Sequence, residues 1–170
     1  MFEIIFLGTS SATPTVERSL PSIVIRKEGI NLLFDCGEGT QRQMMRFGIS
    51  YMKLDAIFIS HLHLDHFLGL FGLIETMALH KRQKPLELFV PEGFKIFNKK
   101  PFLKITQIND GDIFDFGKFL ISVFKNNHDQ PSFGFVIKEK DKIKFFEQKA
   151  KNLGIKGPLF SKILNEGELL

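Results

Sequence analysis

Residues 58–72 read "FISHLHLDHFLGLFG" and gather His61, His63, Asp65 and His66, including three of the chain's five histidines, within six residues of an apolar run. That run, Asp55 to Ser60, reads as a buried strand, because it is short, apolar and followed by polar residues. Phe67 to Leu79 reads as a helix, although Gly69 and Gly72 weaken that reading. The cluster therefore falls at the C-terminal end of a strand, where side chains converge on a point without disturbing the core. If residues 60–66 were helical, His61 and Asp65 would share a face and His63 would point elsewhere. If they are extended, His61, His63 and Asp65 all project to one side. The extended arrangement makes a ligand set, against the plainer reading of a chance polar loop. Imidazole nitrogens with carboxylate oxygens suit zinc, and also manganese or iron, better than calcium or magnesium. Four such groups are enough for two ions, one held by His61 and His63, the other by Asp65 and His66.

Working outward, Phe2 to Gly8, Ser22 to Arg26 and Ile30 to Phe34 read as strands, the last two joined by a turn at Glu28-Gly29. Thr40 to Gly48 reads as a helix, with a threonine suited to an N-cap and a glycine suited to a stop. Further strands are expected at "LELFV", Leu103 to Ile108, Ile113 to Phe116, Phe119 to Lys125 and Ser132 to Lys138, and a short helix at Phe145 to Leu153. The turns at Asn109 to Asp112 and at Gly117 favour antiparallel neighbours. The sum is a mixed α/β domain in which a sheet carries helices on one face and leaves the other face without a cover. That uncovered face predicts association or poor solubility. His128, in the polar loop "NNHDQPSFGFVI", is placed to bring a third imidazole to the first ion.

The single cysteine, Cys36, excludes an internal disulfide and fits a reducing compartment. No signal peptide and no stretch of about eighteen apolar residues is visible, so the expected location is cytoplasmic, away from membranes. The net charge of +4 is moderate. Basic residues gather at "HKRQK" (His80 to Lys84), at Lys95 to Lys104 and between Lys138 and Lys156, and read either as solvated faces or as surfaces for polyanions. His80 reads as a surface residue within reach of substrate.

"SHLHLDH" is similar to the His-x-His-x-Asp-His signature of the metallo-β-lactamase superfamily. With "FLGTSSATPT", "LLFDCGEGTQRQM", "RQKPLELFVPEG", "HDQPSFGFVI" and "AKNLGIKGPLFSKILNEGE", the chain resembles the N-terminal part of the tRNA 3′-processing endoribonucleases, ribonuclease Z. The resemblance implies an αββα sandwich, here its first half, in one incomplete domain of residues 1–170, with the start of a substrate-binding arm at about 148–170. It implies zinc, two ions per complete site. His61, His63 and His128 match the ligands of one, and Asp65 and His66 match ligands of the other. Asp65 also matches the proton acceptor, and Asp35 matches a residue that supports the metal loop. The implied substrate is precursor tRNA, trimmed by phosphodiester hydrolysis.

Leu64 stands where the family usually has glycine, and Phe71 where proline is common. After His128 the sequence holds no histidine, so the bridging aspartate and last histidine of the family's site are not matched. One strong zinc site and one weak one are therefore expected, with a homodimer or a complementary C-terminal half as partner. The alternatives are another superfamily phosphodiesterase, acting for instance on small cyclic nucleotides, and a non-catalytic zinc- or tRNA-binding fragment.

Overall fold

The structure, a computed structural model, describes residues 1–96, 98–140, 146–155, 157 and 159. Six strands form the first sheet in sequence order: β1 (Glu3–Gly8), β2 (Ser22–Lys27), β3 (Ile30–Phe34), β4 (Ala56–Phe58), β5 (Leu86–Val90) and β6 (Leu103–Gln107). The first three pair antiparallel, as tight turns allow, and β3 to β6 pair parallel. Each parallel pair needs a longer crossover. Helix α1 (Thr40–Arg46) lies between β3 and β4, and the helices α2 (Leu64–Phe67) and α3 (Gly69–Leu79) lie between β4 and β5. A second, antiparallel sheet holds β7 (Ile113–Asp115), β8 (Phe119–Lys125) and β9 (Phe133–Glu139), and α4 (Glu147–Asn152) follows.

The central strands read as continuous apolar runs because both of their faces are buried. On one face Leu33, Ile57, Ile59 and Leu88 pack against Met44 of α1 and Leu70, Leu73, Ile74 and Met77 of α3. On the other, Leu32, Phe34, Ala56, Phe58 and Phe89 pack against Phe119, Ile121, Val123 and Phe133 of the second sheet. Phe34, Phe58 and Phe89 are register partners across three parallel strands, and their rings stack at 5.0 and 4.4 Å. The expectation of a bare sheet face is thus corrected. The segment after β6 does not continue the first sheet but turns over it, and the Asn109 to Asp112 turn is the crossing point. On the outer face of the second sheet, Ile113, Phe124 and Val136 remain exposed.

Two local expectations also change. Thr40 does not cap α1; Gly39 takes the cap position with a left-handed φ of 82°, and the Thr40 hydroxyl donates to the Gly37 carbonyl at 2.7 Å. Within the "HKRQK" segment Arg82 is taken into the fold, while His80, Lys81, Gln83 and Lys84 stay exposed. Arg82 is buried, and its guanidinium donates to the carbonyls of Tyr51, Met52, Leu54, Lys84 and Pro85. Lys84 pairs with Asp55 at 2.7 Å, and His80 Nδ1 lies 2.9 Å from the Tyr51 hydroxyl.

Cys36 is fully buried, and that burial pushes its thiol up to about 12, the Asp35 charge adding to it against the Thr40 hydroxyl. Thiolate is the reacting species, so iodoacetamide is expected to label the folded chain at least about a hundredfold more slowly than the urea-unfolded chain. Mass-spectrometric time courses check this; equal rates would place Cys36 at the surface.

Candidate metal centre

The cluster begins where β4 ends. Phe58 O accepts from the Asp35 amide at 2.8 Å, and Asp35 Oδ1 accepts from the Ser60 amide at 2.8 Å, so the ends of β3 and β4 are tied together. Asp35 adopts a left-handed φ of 57°, uncommon for a residue with a side chain and frequent at functional sites. Its second oxygen accepts from the Ser60 hydroxyl at 2.9 Å and meets His66 Nδ1 at 2.7 Å. Asp35 thus makes three side-chain contacts, two with Ser60 and one with His66.

His61 and His63 lie in the extended stretch before α2, and His63 is the extended residue at its N-terminal edge, with φ −71° and ψ 138°. The helix begins at Leu64, so Asp65 and His66 are helical and the extended reading of residues 60–66 stops at His63. This separates the groups. His61, His63 and His128 bring their nitrogen atoms within 4.8 Å of one another, although His128 comes from the loop after β8. Asp65 instead lies beside His66, with Oδ2 3.4 Å from Nε2. The His61 and His66 rings are 4.0 Å apart between centroids, so the two groups adjoin.

Burial lowers His61 to about 4, and the neighbouring imidazoles, His66 first, add to it against the opposing pull of Asp35. Its imidazole is neutral near pH 7 and keeps a lone pair for a ligand. His66 is raised: burial opposes its charge, but the hydrogen bond it donates to Asp35 and the charges of Asp35 and Asp65 prevail. Three imidazoles from two separate strand ends fit a nitrogen-preferring divalent ion, and zinc with three protein ligands is a common arrangement.

Two contributors escaped the sequence reading. Ser60 Oγ lies 2.9 Å from His61 Nδ1 while bonded to Asp35, which links ligand to support. The exposed carboxylate of Asp129 lies against His128 and 3.5 Å from His63 Nε2. Ser60 carries the weak signal of its place beside His61 at a strand end; Asp129 carries only its adjacency to His128.

Glycines hold α2 close to this turn. A Cβ on Gly37 would lie 2.3 Å from the Asp65 carbonyl oxygen, and one on Gly69 would lie 2.1 Å from the Gly37 carbonyl oxygen. Through that gap the Cys36 amide donates to His66 O at 2.7 Å and the Gly69 amide to Cys36 O at 2.9 Å.

Comparison with known proteins agrees with this geometry. Residues 2–97 match the family model described as Anti-Pycsar protein Apyc1. Ribonuclease Z of Archaeoglobus fulgidus is 43% identical over 175 residues, covering 96% of this chain and 57% of that protein. Ribonuclease Z of Pyrococcus abyssi is 42% identical, covering 100% of this chain and 59% of that protein. The chain thus spans less than three fifths of the length of the curated relatives it matches. Among solved structures, the short form of human tRNase Z aligns with a TM-score of 0.67 and 32% identity, covering 82% of this chain and 64% of that one. The metallo-β-lactamase fold protein YhfI from Bacillus subtilis aligns with a TM-score of 0.73 at 19% identity, covering 81% of this chain and 58% of that one, and attests the fold alone. The chain has the metallo-β-lactamase fold, resembles ribonuclease Z over part of that protein's length, and belongs to the family that the Anti-Pycsar protein Apyc1 model describes.

Proposed function

We propose that the chain carries the N-terminal part of a ribonuclease Z-type enzyme, which hydrolyses a phosphodiester of precursor tRNA and releases the 3′ trailer. The observation that carries this reading is the convergence of three imidazoles, His61, His63 and His128, from segments more than sixty residues apart. The similarity to ribonuclease Z over nearly the whole chain supports it.

In this reading His61, His63 and His128 hold one zinc ion strongly. Asp65 and His66 hold a second one weakly, as a pair of ligands is fewer than the four that zinc takes. When bound, such ions supply Lewis-acid polarisation of the phosphate and make a water acidic enough to attack near neutral pH. His61 stays neutral and available. Asp35 fixes His66 and, through Ser60, the His61 ring, because hydrogen bonds to ligands set their orientation and basicity. The Asp65 carboxylate orients the attacking water or takes its proton. The remaining ligands come from a homodimer partner or a complementary C-terminal half, and we place the protein in the cytoplasm. Its sole cysteine supports that location, and no helix among the described residues is long and apolar enough to cross a membrane. The arm at about 148–170, with the lysines before it, would grip folded RNA through phosphates. Most of that stretch lies outside the described residues; α4 is the described element within it.

The alternative reading is a phosphodiesterase of small substrates, for instance cyclic nucleotides. The two separate when the zinc-loaded chain is given a 3′-extended precursor tRNA and a cyclic mononucleotide. Cleavage of the tRNA at its 3′ side supports the first. Cleavage of the cyclic nucleotide alone supports the second, and tRNA binding without any cleavage leaves a non-catalytic role.

Asp35→Asn keeps the shape of the side chain and removes its charge. It is expected to weaken zinc binding about 10–100-fold, measured against a chromogenic chelator. Unchanged affinity would mean that the three contacts of Asp35 serve folding only.

A further inference from the structure

The contacts of the three imidazoles tell which ring nitrogen of each is turned toward its neighbours and which is turned away. His61 Nε2 and His63 Nδ1 lie 3.1 Å apart and face each other, which leaves His61 Nδ1 and His63 Nε2 as the outer nitrogens. The outer nitrogen of His61 rests on Ser60 Oγ at 2.9 Å, and Ser60 Oγ in turn donates to Asp35. His63 and His128 have no such chain behind them. Among the described residues, Asp129 is the one carboxylate paired with either ring, and it gives one oxygen to each. Its Oδ2 lies 3.5 Å from His63 Nε2, and its Oδ1 meets His128 Nδ1. His128 is the ligand most in need of a partner. It stands in the loop between β8 and β9, which the Asn126 amide closes on the Ser132 carbonyl at 2.8 Å and the Phe133 amide ties to the Ser60 carbonyl at 2.9 Å. Those bonds fix where the loop lies and not which way its ring turns. His128 is also exposed where His61 is buried, so packing does not lock the ring.

We propose that Asp129 is a positioning residue of this centre, whose carboxylate takes the outer N–H of His128 and, more weakly, that of His63, and so presents His128 Nε2 and His63 Nδ1 to the ion. The proposal rests on the reading of the three imidazoles as a zinc site. A neutral imidazole carries one ring proton, so an acceptor at one nitrogen holds the proton there and frees the lone pair of the other. Ligand histidines commonly donate this second N–H to a carboxylate or carbonyl, which sets ring orientation and raises basicity. The Asp129 amide also points at His128 Nδ1, at 2.9 Å, and the two contacts exclude each other. A bare Nδ1 accepts from the amide and leaves the proton on Nε2, where it blocks an ion. A protonated Nδ1 donates to the carboxylate and leaves Nε2 open, so an ion on Nε2 selects the carboxylate contact. The His63 contact, at 3.5 Å, exceeds hydrogen-bond length, so its share is the smaller. Asp129 is exposed, which sets its effect at the low end of what such partners contribute. The sheet side of the centre is held by Asp35 through Ser60, and the loop side by Asp129.

Two measurements on the full chain test this. The metal-free parent and variants are titrated with zinc against a chromogenic chelator. Long-range proton–nitrogen NMR of the isotope-labelled, zinc-loaded chain reads the tautomer of each ring and the exchange of each N–H with water. Asp129→Ala is expected to weaken zinc binding about tenfold. It is expected to speed exchange of the His128 Nδ1 proton, to act less on His63 Nε2, and to leave His61 Nδ1, which Ser60 holds, unchanged. Asp129→Asn keeps an oxygen acceptor and is expected to retain the His128 resonance with an intermediate affinity. Asn127→Ala changes the exposed residue on the other side of His128 and is expected to match the parent. Zinc affinity unchanged in Asp129→Ala, or a zinc-loaded parent with the His128 proton on Nε2, overturns the proposal and leaves the zinc site standing. A fall in affinity with all three rings disturbed alike also overturns it, since that reports general loosening. Absence of tight zinc in the parent overturns the site and this role of Asp129 with it.

Discussion

Replacing Phe58 with alanine is expected to lower the unfolding free energy by about 3–5 kcal/mol, a large part of the roughly 5–15 kcal/mol that holds a domain folded. Phe58 is fully buried at the centre of the interface between the two sheets. Its ring stacks on Phe34 and Phe89 and meets Phe114, Phe116 and Phe135 from the second sheet and its β7–β8 turn at 5.3–6.1 Å. Truncation removes the transfer free energy of the ring and leaves a cavity whose walls come from two rigid sheets, which limits collapse. Phe6→Ala is the control, since Phe6 is exposed on β1 and a surface change typically stays within about 0.5 kcal/mol. Urea unfolding followed by circular dichroism measures both. If Phe58→Ala cost no more than Phe6→Ala, the second sheet would not cover the first.

Gly69→Ala is expected to destabilise by about 1–3 kcal/mol or more, because overpacking forces backbone to move. All three nearest neighbours of the added Cβ are backbone atoms of Cys36 and Gly37, the nearest at 2.1 Å, so no side chain can swing aside. The junction of α2 and α3 must then withdraw from the turn that binds His66 O, and zinc affinity falls with stability. Gly72→Ala, three residues on, meets nothing within 4 Å. Within α3 it gains helix propensity and is expected to be neutral or to stabilise by up to about 1 kcal/mol. Equal effects of the two substitutions would show that Gly69 is not required for close approach.

Much of this was legible in the sequence, and the reasons are physical. Glycine and proline turns bounded the strands, so Ile30–Phe34 and Phe119–Lys125 fell where the apolar runs placed them. The spacing of His61 and His63, with His128 in a loop between two strands, identified the imidazoles that meet. Apolar periodicity shows that a face is buried but not what buries it. Phe34, Phe58 and Phe89 therefore gave no sign of the sheet above them, a contact made across long chain separations. Arg82 looked like part of a charged surface because its five carbonyl partners are backbone groups, which carry no sequence signal. Asp65 was assigned to the same face as His61 and His63 because the start of α2 at Leu64 lacks a side-chain cap to announce it.

The central claim is that His61, His63 and His128 form a zinc site, and it is tested most directly by titrating the metal-free chain with zinc against a chromogenic chelator. The account predicts one tight equivalent per chain, lost in His61→Ala and in His128→Ala while both variants retain the circular dichroism of the parent. Absence of a tight equivalent, or an affinity unchanged by either substitution, would contradict it.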